Sequence, residues 1–567
     1  MSKSRQFIIL LVLLLVLIVP SHVIQVERAV TVDEPWWLIS GSNYYYALTH
    51  KDFANTIYDY HPAVTTTWVV TAGMLTYFPE YRGGGQGYFD VRKPHFEEFL
   101  RENGKESVEL MRISRLIQAG LLITLAILCF YLLQLILDQL SAFLAITIAF
   151  NAPFFLGHSR LLNHEGMLTM FMLASLLGMQ VYLGKDRKSI YLLISGITFG
   201  LAQLTKSSSI VLIGVIGLML LVDIFNKDDQ THGLKLLDAV KIFAVWFGSA
   251  ALTYFILWPG MWVAPREMLS GVYGNAFSYA FQGARLDVTE ELEPASFNIV
   301  TRSDAFIQYI RYWLSSTTPL TWIGLMLSLI WLFEWNKNKV FSMLKMLVVY
   351  LALLGGLVIT LFAVAQGRNA ARYIIIAYVS FDVIAGIGWG YALTRLQSRW
   401  KLFSRKLAPL VAVVLLALLQ IGFGLPYAPY YFTYKAPFAS EAATYGYGEG
   451  MAEAADYLAA KPNAKDIRAY VYSGMGTFSY FFPGETQVLK RVYLIDNSFD
   501  EIEQGMKSSD YLVLYPIVRD KQPETEKILK PLETITPEKI IYINGLEYIR
   551  IYKISEIPES VYAKLGY

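Results

Sequence analysis

The sequence predicts an α-helical multi-span membrane protein with a small C-terminal extracytoplasmic α/β domain, and three observations support this fold class. The 567 residues are 55% hydrophobic and 17% charged, whereas soluble globular proteins have about 45–50% apolar and about 25% charged residues. Apolar segments close to the roughly 20 residues that cross a bilayer recur along most of the chain. The last part of the chain instead has short runs that are typical of β-strands.

About eleven segments are long and apolar enough to be transmembrane helices. The first follows a basic start, "MSKSRQ", but no small-x-small cleavage site follows it, so we expect an uncleaved helix rather than a signal peptide. The candidates are Phe7–Ile24, Ile113–Leu137, Ser141–Leu156, Glu165–Leu183, Tyr191–Thr205, Ser208–Ile224, Val240–Leu257, Pro319–Phe333, Phe341–Val364, Tyr373–Ala392 and Leu407–Leu425.

The charges of the connecting segments predict which side of the membrane each one faces. Short cytoplasmic connections are rich in Lys and Arg, and the basic clusters here are "GKDRKS", "NKDDQTHGLK", "NKNK" and "TRLQSRWKLFSRK". With the N-terminus inside and an odd number of spans, two large loops, 25–111 and 258–318, lie outside the cell membrane. The predicted division is a transmembrane domain, 1–428, and an extracytoplasmic α/β domain, 429–567.

Within the tail, local patterns predict one helix and several strands. "EGMAEAADYLAAKP" has a helical period and ends before Pro462. "DIRAYVYSG", "RVYLID", "DYLVLYPI" and "KIIYINGLEYIRIYKI" are rich in residues that favour strands, and the last reads as a hairpin with Asn544 and Gly545 at its turn. A small mixed domain is therefore expected.

Composition and motifs exclude several functional classes. The net charge is +2, and no basic run resembles a nucleic-acid patch, so no nucleic-acid partner is expected. No P-loop, dinucleotide-binding or serine-hydrolase motif occurs in a fitting context. None of the histidines in the outer segments forms a tight ligand pair, so neither a metal nor another cofactor is expected.

Polar residues near the ends of spans are few, and the predicted topology puts them on the outer face. They are Asp33 and Glu34 after the first span, Arg160 and Glu165 at the fourth, Lys206 at the end of the fifth, and Arg368 and Arg372 at the tenth. A carboxylate can take a proton from an attacking hydroxyl, while a cation neutralises a departing phosphate. This set therefore suits a reaction on a lipid-borne phosphate.

Each of these residues also has a purely structural interpretation. Lys and Arg at helix ends commonly anchor a span at the membrane surface, and an Asp-Glu pair after a span can cap the next helix. Arg160 and Glu165 are five positions apart and so do not share a helical face. Asp33 is a weak candidate alone and gains support only from the other residues.

Several stretches, taken in order, carry a resemblance to a known family. They are "VDEPWWL" and "TIYDYHPAVTTTW" in the first loop, "SRLLNHEGMLTMF", "GLAQLTKSSSIVL", "QGRNAARYIIIAY" and, in the tail, "YYFTYKAPFASEAATYGYGEGMAEAADYLAAKP" and "INGLEYIRIYKI". Over most of its length the chain resembles the protein O-mannosyltransferase family of C-type membrane glycosyltransferases, particularly the bacterial members. The resemblance implies the glycosyltransferase C-type fold.

The resemblance also implies an inverting sugar transfer from a polyprenyl-phosphate donor, with mannose as a candidate sugar. Asp33 would be the general base that deprotonates an acceptor hydroxyl, and polyprenyl phosphate would leave as that hydroxyl attacks the anomeric carbon. Lys206 and Arg372 would bind the phosphate. The other substrate-binding residues would be Glu34, His61, Arg160 and Glu165.

Departures from the family's pattern leave the acceptor open. The family usually has Asp where this chain has Glu165, "NAARYIII" lacks the Pro expected after Arg-Tyr, and loop 258–318 is too short for the β-trefoil domain of eukaryotic members. Protein Ser/Thr and a lipid or cell-envelope glycan are both acceptor candidates. The alternative from another class is a transporter of a lipid-linked sugar, which would carry ionisable groups near the middle of the membrane, as Asp382 does.

Overall fold

A computed structural model describes residues 3–58, 61–83, 88–225, 235–283, 299–333, 343–365, 370–400 and 408–565 of the chain. Among these residues, eight helices are long and apolar enough to cross a membrane, and two bent helix pairs pass the same test. Every one of the eleven predicted segments overlaps a helix. The helical multi-span class is thus confirmed. The count of eleven stays a prediction, because Ser189–Thr205 is only 17 residues long.

The helices of the membrane part form the following series in chain order. They are α1 Lys3–Val23, α2 Glu34–Thr49, α3 Val64–Tyr77, α4 His95–Glu102, α5 Ser107–Gln134, α6 Gln139–Phe150, α7 Pro153–Ser159, α8 Glu165–Gly184, α9 Ser189–Thr205, α10 Val211–Phe225, α11 Leu236–Leu257, α12 Gly260–Val263, α13 Pro265–Leu269, α14 Asn275–Gln282, α15 Ile299–Ser316, α16 Pro319–Phe333, α17 Met343–Val364, α18 Ile375–Arg399 and α19 Ala408–Gly424.

Two breaks in this series fall at prolines. Helices α6 and α7 meet at 64° and α15 and α16 at 111°, and Pro153 and Pro319 begin the second helix of each pair. Proline disfavours the helical conformation of the preceding residue, so a bend is expected at both places.

Helix α15 lies in the segment that the sequence predicted to be loop 258–318. Its charged residues, Arg302, Asp304 and Arg311, lower its mean hydropathy below that of a span.

Two helices form the centre of the bundle. The apolar stretch of α8 is 100% buried, and that of Ala371–Arg399, which ends with α18, is 83% buried. The apolar stretches of the other six long helices are 22–50% buried. Glu165 is the first residue of α8, and Arg372 lies in the 3₁₀ turn that leads into α18. These two charged residues therefore stand at the ends of the most enclosed helices.

The first loop begins with a helix that packs closely on its neighbour. Pro35, in the first turn of α2, has a backbone angle already suited to a helix start. The short apolar stretch of the loop forms α3, which packs against α2. A Cβ atom on Gly41 would lie 2.3 Å from Cβ of Val70, so only glycine allows this approach.

The C-terminal part contains a five-stranded mixed sheet. Its order is β2-β1-β3-β5-β4, from β1 Arg468–Tyr472, β2 Glu485–Leu489, β3 Tyr511–Leu514, β4 Lys539–Ile543 and β5 Leu546–Lys553. The helices are α20 Met451–Ala459, α21 Arg491–Ile495, α22 Phe499–Lys507, α23 Glu526–Leu529 and α24 Glu559–Tyr562. Strand β1 is parallel to β2 and β3, and β5 is antiparallel to β3 and β4.

Most predictions for the tail are confirmed, and one is wrong. The predicted helix, the strands from "DIRAYVYSG" and "DYLVLYPI" and the hairpin with Asn544 and Gly545 at its turn are all present. "RVYLID" forms helix α21 instead of a strand, because only Leu494 of that run is buried and short apolar runs do not distinguish the two. The edge strand β2 was not predicted, since "ETQVL" has no alternating apolar pattern.

Polar contacts attach this C-terminal part to the first loop. Arg28 pairs with Asp456 at 2.6 Å. Ser479 donates a hydrogen bond to Glu97 at 2.8 Å. The sheet domain is thereby held over the first loop.

Candidate active site

Asp33 lies at the N-terminus of α2, where the helix dipole favours a negative charge. Its side chain is 43% exposed, and Oδ2 lies 3.0 Å from Nη2 of Arg372. The same oxygen accepts a hydrogen bond from the hydroxyl of Tyr447. Within the described part of the chain, Oδ1 has no hydrogen-bond partner. Asp33 therefore has one engaged oxygen and one that no described residue engages.

Arg372 is held by aromatic rings as well as by Asp33. Its guanidinium carbon lies 4.7 Å from the ring centroid of Tyr447 and 5.4 Å from that of Tyr373. Such cation–π contacts favour a cation at the ring face. The guanidinium is thus fixed beside the Asp33 carboxylate.

A second ion pair lies close to the first. Nζ of Lys206 is 2.6 Å from Oε1 of Glu165, and both side chains are almost fully buried. Nζ of Lys206 also lies 4.4 Å from the ring centroid of Tyr373, the ring that Arg372 contacts. The two cations therefore share one aromatic neighbour.

Two histidines complete the buried side of this arrangement. Nε2 of His164 is 3.3 Å from Oε1 of Glu165, and the rings of His61 and His164 are 5.0 Å apart. Burial lowers the pKa of His164, although the negative charge of Glu165 opposes that shift. The ring is consequently mostly neutral near pH 7 and can donate one hydrogen bond to Glu165.

A cavity of about 370 Å³ opens beside Lys206. Its lining includes the polar residues His61, Lys206, Ser207 and Ser208. The rest of its wall is aromatic and aliphatic, and includes Tyr273, Phe277, Leu361, Phe362 and Tyr373. A mainly apolar pocket with a few placed polar groups suits an amphiphile whose head group is anionic.

Glu34 is not part of this open cleft. Its side chain has no exposed surface and forms an ion pair with Arg115 at 2.5 Å. Five donor atoms surround its two oxygens: Nε and Nη2 of Arg115, the backbone N and Oγ1 of Thr31, and the backbone N of Leu162. Glu34 thus joins the start of α2 to α5 and to the segment that precedes α8.

Arg160 is likewise engaged within the protein. It donates hydrogen bonds to the backbone oxygens of Ser21, Ile24 and Gln25, and its guanidinium lies 5.3 Å from the ring centroid of Tyr431. These contacts hold the end of α1. The structure brings together Asp33, Arg372, Lys206, Glu165 and His61, and it holds Glu34 and Arg160 in other contacts. The catalytic or substrate-binding roles of all seven residues stay predictions. Arg368 lies outside the described residues.

Sequence reasoning missed three residues of this region. Arg115 carries a detectable signal, because it is a charge within the apolar helix α5. Tyr373 could have been suspected from its position next to Arg372. Tyr447 gives no local signal, since it lies 414 positions from the Asp33 that it contacts.

The fold and the site together define a class, a multi-span membrane protein with a charged cleft beside an apolar cavity. Residues 96–268 match the family model described as dolichyl-phosphate-mannose-protein mannosyltransferase. This match confirms the predicted resemblance and the predicted enzyme class, a glycosyltransferase, and the chain is a multi-pass membrane protein. The matched segment contains Arg160, Glu165 and Lys206 and excludes the other four predicted site residues.

Three solved structures show weaker likenesses. ArnT from Cupriavidus metallidurans bound to undecaprenyl phosphate is 11% identical with a TM-score of 0.45, covering 99% of each chain. The oligosaccharyltransferase AglB from Archaeoglobus fulgidus, in complex with an inhibitory peptide and a dolichol-phosphate, is 12% identical with a TM-score of 0.44, covering 94% of this chain and 71% of that one.

The third is the S. cerevisiae protein O-mannosyltransferase Pmt1-Pmt2 complex bound to the sugar donor, 16% identical with a TM-score of 0.35, covering 50% of this chain and 36% of that one. No curated protein sequence matches the chain. Because all three TM-scores are below 0.5, the enzyme class depends on the family model and the site, and not on these likenesses.

Proposed function

We propose that this chain transfers a sugar, with inversion, from a polyprenyl-phosphate donor to a hydroxyl acceptor on the outer face of the cell membrane. One observation carries the proposal. The Asp33–Arg372 and Glu165–Lys206 pairs both reach the ring of Tyr373, which also lines the apolar cavity beside Lys206. A candidate base, two cations and an apolar cavity that can hold a lipid chain thus lie within one region.

The cavity and the two cations bind different parts of the donor. The apolar wall receives the first part of the polyprenyl chain, and Lys206 and Arg372 bind the phosphate that follows it. Arg suits this role because its planar fork can donate two hydrogen bonds to phosphate oxygens. Glu165 keeps Lys206 in place, and His61 lines the same cavity.

The chemistry then follows from the charges. Oδ1 of Asp33 takes the proton of the acceptor hydroxyl, whose oxygen forms a bond to the anomeric carbon of the sugar. The bond between that carbon and the phosphate oxygen breaks, and configuration inverts. The phosphate changes from a monoanionic diester to polyprenyl phosphate with additional negative charge. Lys206 and Arg372 therefore stabilise the transition state more than the bound donor.

The sugar and the acceptor belong to the same proposal. The name of the matched family gives mannose and a protein acceptor, which makes a mannosyl donor and protein Ser/Thr the first candidates. A lipid or a cell-envelope glycan is the other acceptor class. The transporter alternative gains no support from Asp382, because this buried carboxylate accepts a hydrogen bond from Thr321 at 2.6 Å and so joins α18 to α16.

The test is a transfer assay with the purified protein in detergent. Radiolabelled polyprenyl-phosphate sugars are offered with a peptide pool and with a lipid extract, and the labelled fraction identifies the acceptor. Wild type is compared with Asp33→Asn and with Asp90→Asn, which removes an exposed carboxylate of the same loop. We expect Asp33→Asn to lose about 10²- to 10⁴-fold in rate, with an unchanged melting temperature, and Asp90→Asn to retain full activity.

Two results would refute the proposal. If folded wild-type protein transfers sugar from none of the donors, the proposed glycosyltransferase function is wrong. Full activity of Asp33→Asn would show that another group is the base.

A further inference from the structure

A glycine-rich segment of the C-terminal part, Tyr445–Gly450, lies directly on the backbone that precedes Asp33. Gly446, Gly448 and Gly450 have φ angles of 76°, 117° and 82°, which side chains other than glycine rarely adopt. A Cβ atom on Gly448 would lie 2.7 Å from the backbone oxygen of Val30. The backbone N of Val32 donates a hydrogen bond to the oxygen of Tyr447 at 3.1 Å. The two chain segments are therefore in backbone contact.

A buried carboxylate links this segment to the sheet. Glu449 is fully buried, and its Oε2 accepts hydrogen bonds from the backbone N of Tyr447 and from the hydroxyl of Tyr515. The Tyr515 hydroxyl in turn accepts one from the backbone N of Gly448 at 3.1 Å. Tyr515 immediately follows strand β3. The sheet thus determines where the Tyr447 backbone lies.

The side chain of Tyr447 contacts both members of the first ion pair. Its hydroxyl donates to Oδ2 of Asp33, and its ring faces the guanidinium of Arg372. We propose that Tyr447 is a positioning residue that the C-terminal domain supplies to the active site, an inference that rests on the proposed function. It fixes the Asp33 carboxylate through Oδ2, so that Oδ1 is presented to the acceptor hydroxyl. The C-terminal domain therefore completes the catalytic site rather than only covering it.

This role predicts a specific kinetic pattern. Tyr447→Phe removes the hydroxyl and keeps the ring over Arg372, so donor binding should be unaffected while proton transfer is impaired. We expect kcat to fall about 10- to 100-fold, as for the loss of one hydrogen bond to a charged group. KM for the donor should stay within about twofold of wild type. A purely structural role would not separate kcat from KM in this way.

The matched control is Tyr445→Phe, two positions earlier on the same segment. The ring of Tyr445 lies 3.4 Å from Nζ of Lys521 and so contacts a different group. Its kcat and KM should equal those of wild type. Unchanged kcat in Tyr447→Phe, or an equal loss in Tyr445→Phe, would overturn the proposal.

A second measurement tests the contact without activity. The melting temperatures of wild type, Tyr447→Phe, Asp33→Ala and the double variant form a cycle, in which groups in contact give non-additive changes. We expect the double variant to lose less than the sum of the two single losses. Additive losses would overturn the contact. If wild type transfers no sugar, the proposed function fails, and the cycle alone then decides whether Tyr447 holds Asp33.

Discussion

Asp33 and Glu34 are adjacent carboxylates in opposite environments. The Asp33 side chain is 43% exposed, and none of the described residues donates a hydrogen bond to its Oδ1. The Glu34 side chain has no exposed surface, and five donor atoms engage both of its oxygens. Adjacent residues at a helix start point about 100° apart. One side chain therefore faces the cleft, while the other faces α5.

The difference separates the carboxylate proposed to be the base from a structural one. A general base needs a free lone pair within reach of its substrate, and within the described segments Oδ1 of Asp33 accepts no hydrogen bond. A fully buried carboxylate is tolerated only when it is paired and hydrogen-bonded, which is the condition that Arg115 creates for Glu34. Of two neighbouring carboxylates, one is thus the candidate base, and the other holds the start of α2 in place.

The largest effect on folding should come from Glu34→Gln. This substitution leaves Arg115 as an unpaired buried cation, and removing one partner of a buried pair costs about 3–5 kcal/mol. We expect a large drop in melting temperature and in the yield of folded protein. Asp33→Asn, at the neighbouring position, should keep the wild-type melting temperature. A stable Glu34→Gln protein would mean that the contrast between the two carboxylates is wrong.

Arg115→Lys should have a smaller effect at the same contact. Lysine keeps the positive charge but lacks the fork that bonds both oxygens of Glu34 and also reaches the backbone oxygens of Val26, Arg28 and Ala29. We expect a loss of about 1–3 kcal/mol, measured by thermal unfolding. The control is Arg112→Lys, one turn earlier on α5, where the side chain is partly exposed and pairs with Glu109. Equal losses in both variants would contradict the special role of Arg115.

The second ion pair combines burial with a place in the cleft. Replacing Glu165 by Gln and Lys206 by Met together removes the pair without leaving a lone charge, and such exchanges are often tolerated. We expect a melting temperature close to wild type and a KM for the donor raised about tenfold, through the loss of one phosphate contact. Kinetics at several donor concentrations test this. An unchanged KM would assign Lys206 to packing alone.

Local patterns in the sequence could predict the helices and much of the site. Length and apolarity identified every one of the eleven segments as helical, and charges at span ends identified Asp33, Glu165, Lys206 and Arg372. These signals are local, because the cost of placing a charge next to lipid is visible at the residue itself. Proximity among these residues followed from the predicted topology, which places them on one face.

The rest depended on contacts between distant parts of the chain. Tyr447 reaches Asp33 across 414 positions, and Glu34 reaches Arg115 across 81. No periodicity or spacing encodes such pairings. For the same reason the sequence could not distinguish the exposed Asp33 from the saturated Glu34, which differ only in what packs against them.

Glu97 and Glu98 on α4 are a second pair of adjacent carboxylates in different environments. Replacing Glu97 should have the smallest effect on stability among these substitutions. The Glu97 side chain is 12% exposed, accepts a hydrogen bond from Ser479 and pairs with Arg101, whereas Glu98 is exposed. Burial raises the pKa of the Glu97 carboxyl above its usual value. Below the pKa of the unfolded chain the Glu97 carboxyl is protonated in both states, and the folded protein has its full stability. Part of that stability is lost as pH rises through the higher folded pKa, because the buried carboxyl must then ionise.

Glu97→Gln should therefore gain stability relative to wild type as pH rises from about 4 to about 7, by roughly a few degrees in melting temperature. Thermal unfolding of both proteins across this range measures the effect. Glu98→Gln is the matched control, because it removes an exposed carboxyl from the same helix, and its melting temperature should stay close to that of wild type. A constant difference between Glu97→Gln and wild type would mean that the Glu97 carboxyl is not desolvated. Burial would then not be what distinguishes these neighbouring carboxylates.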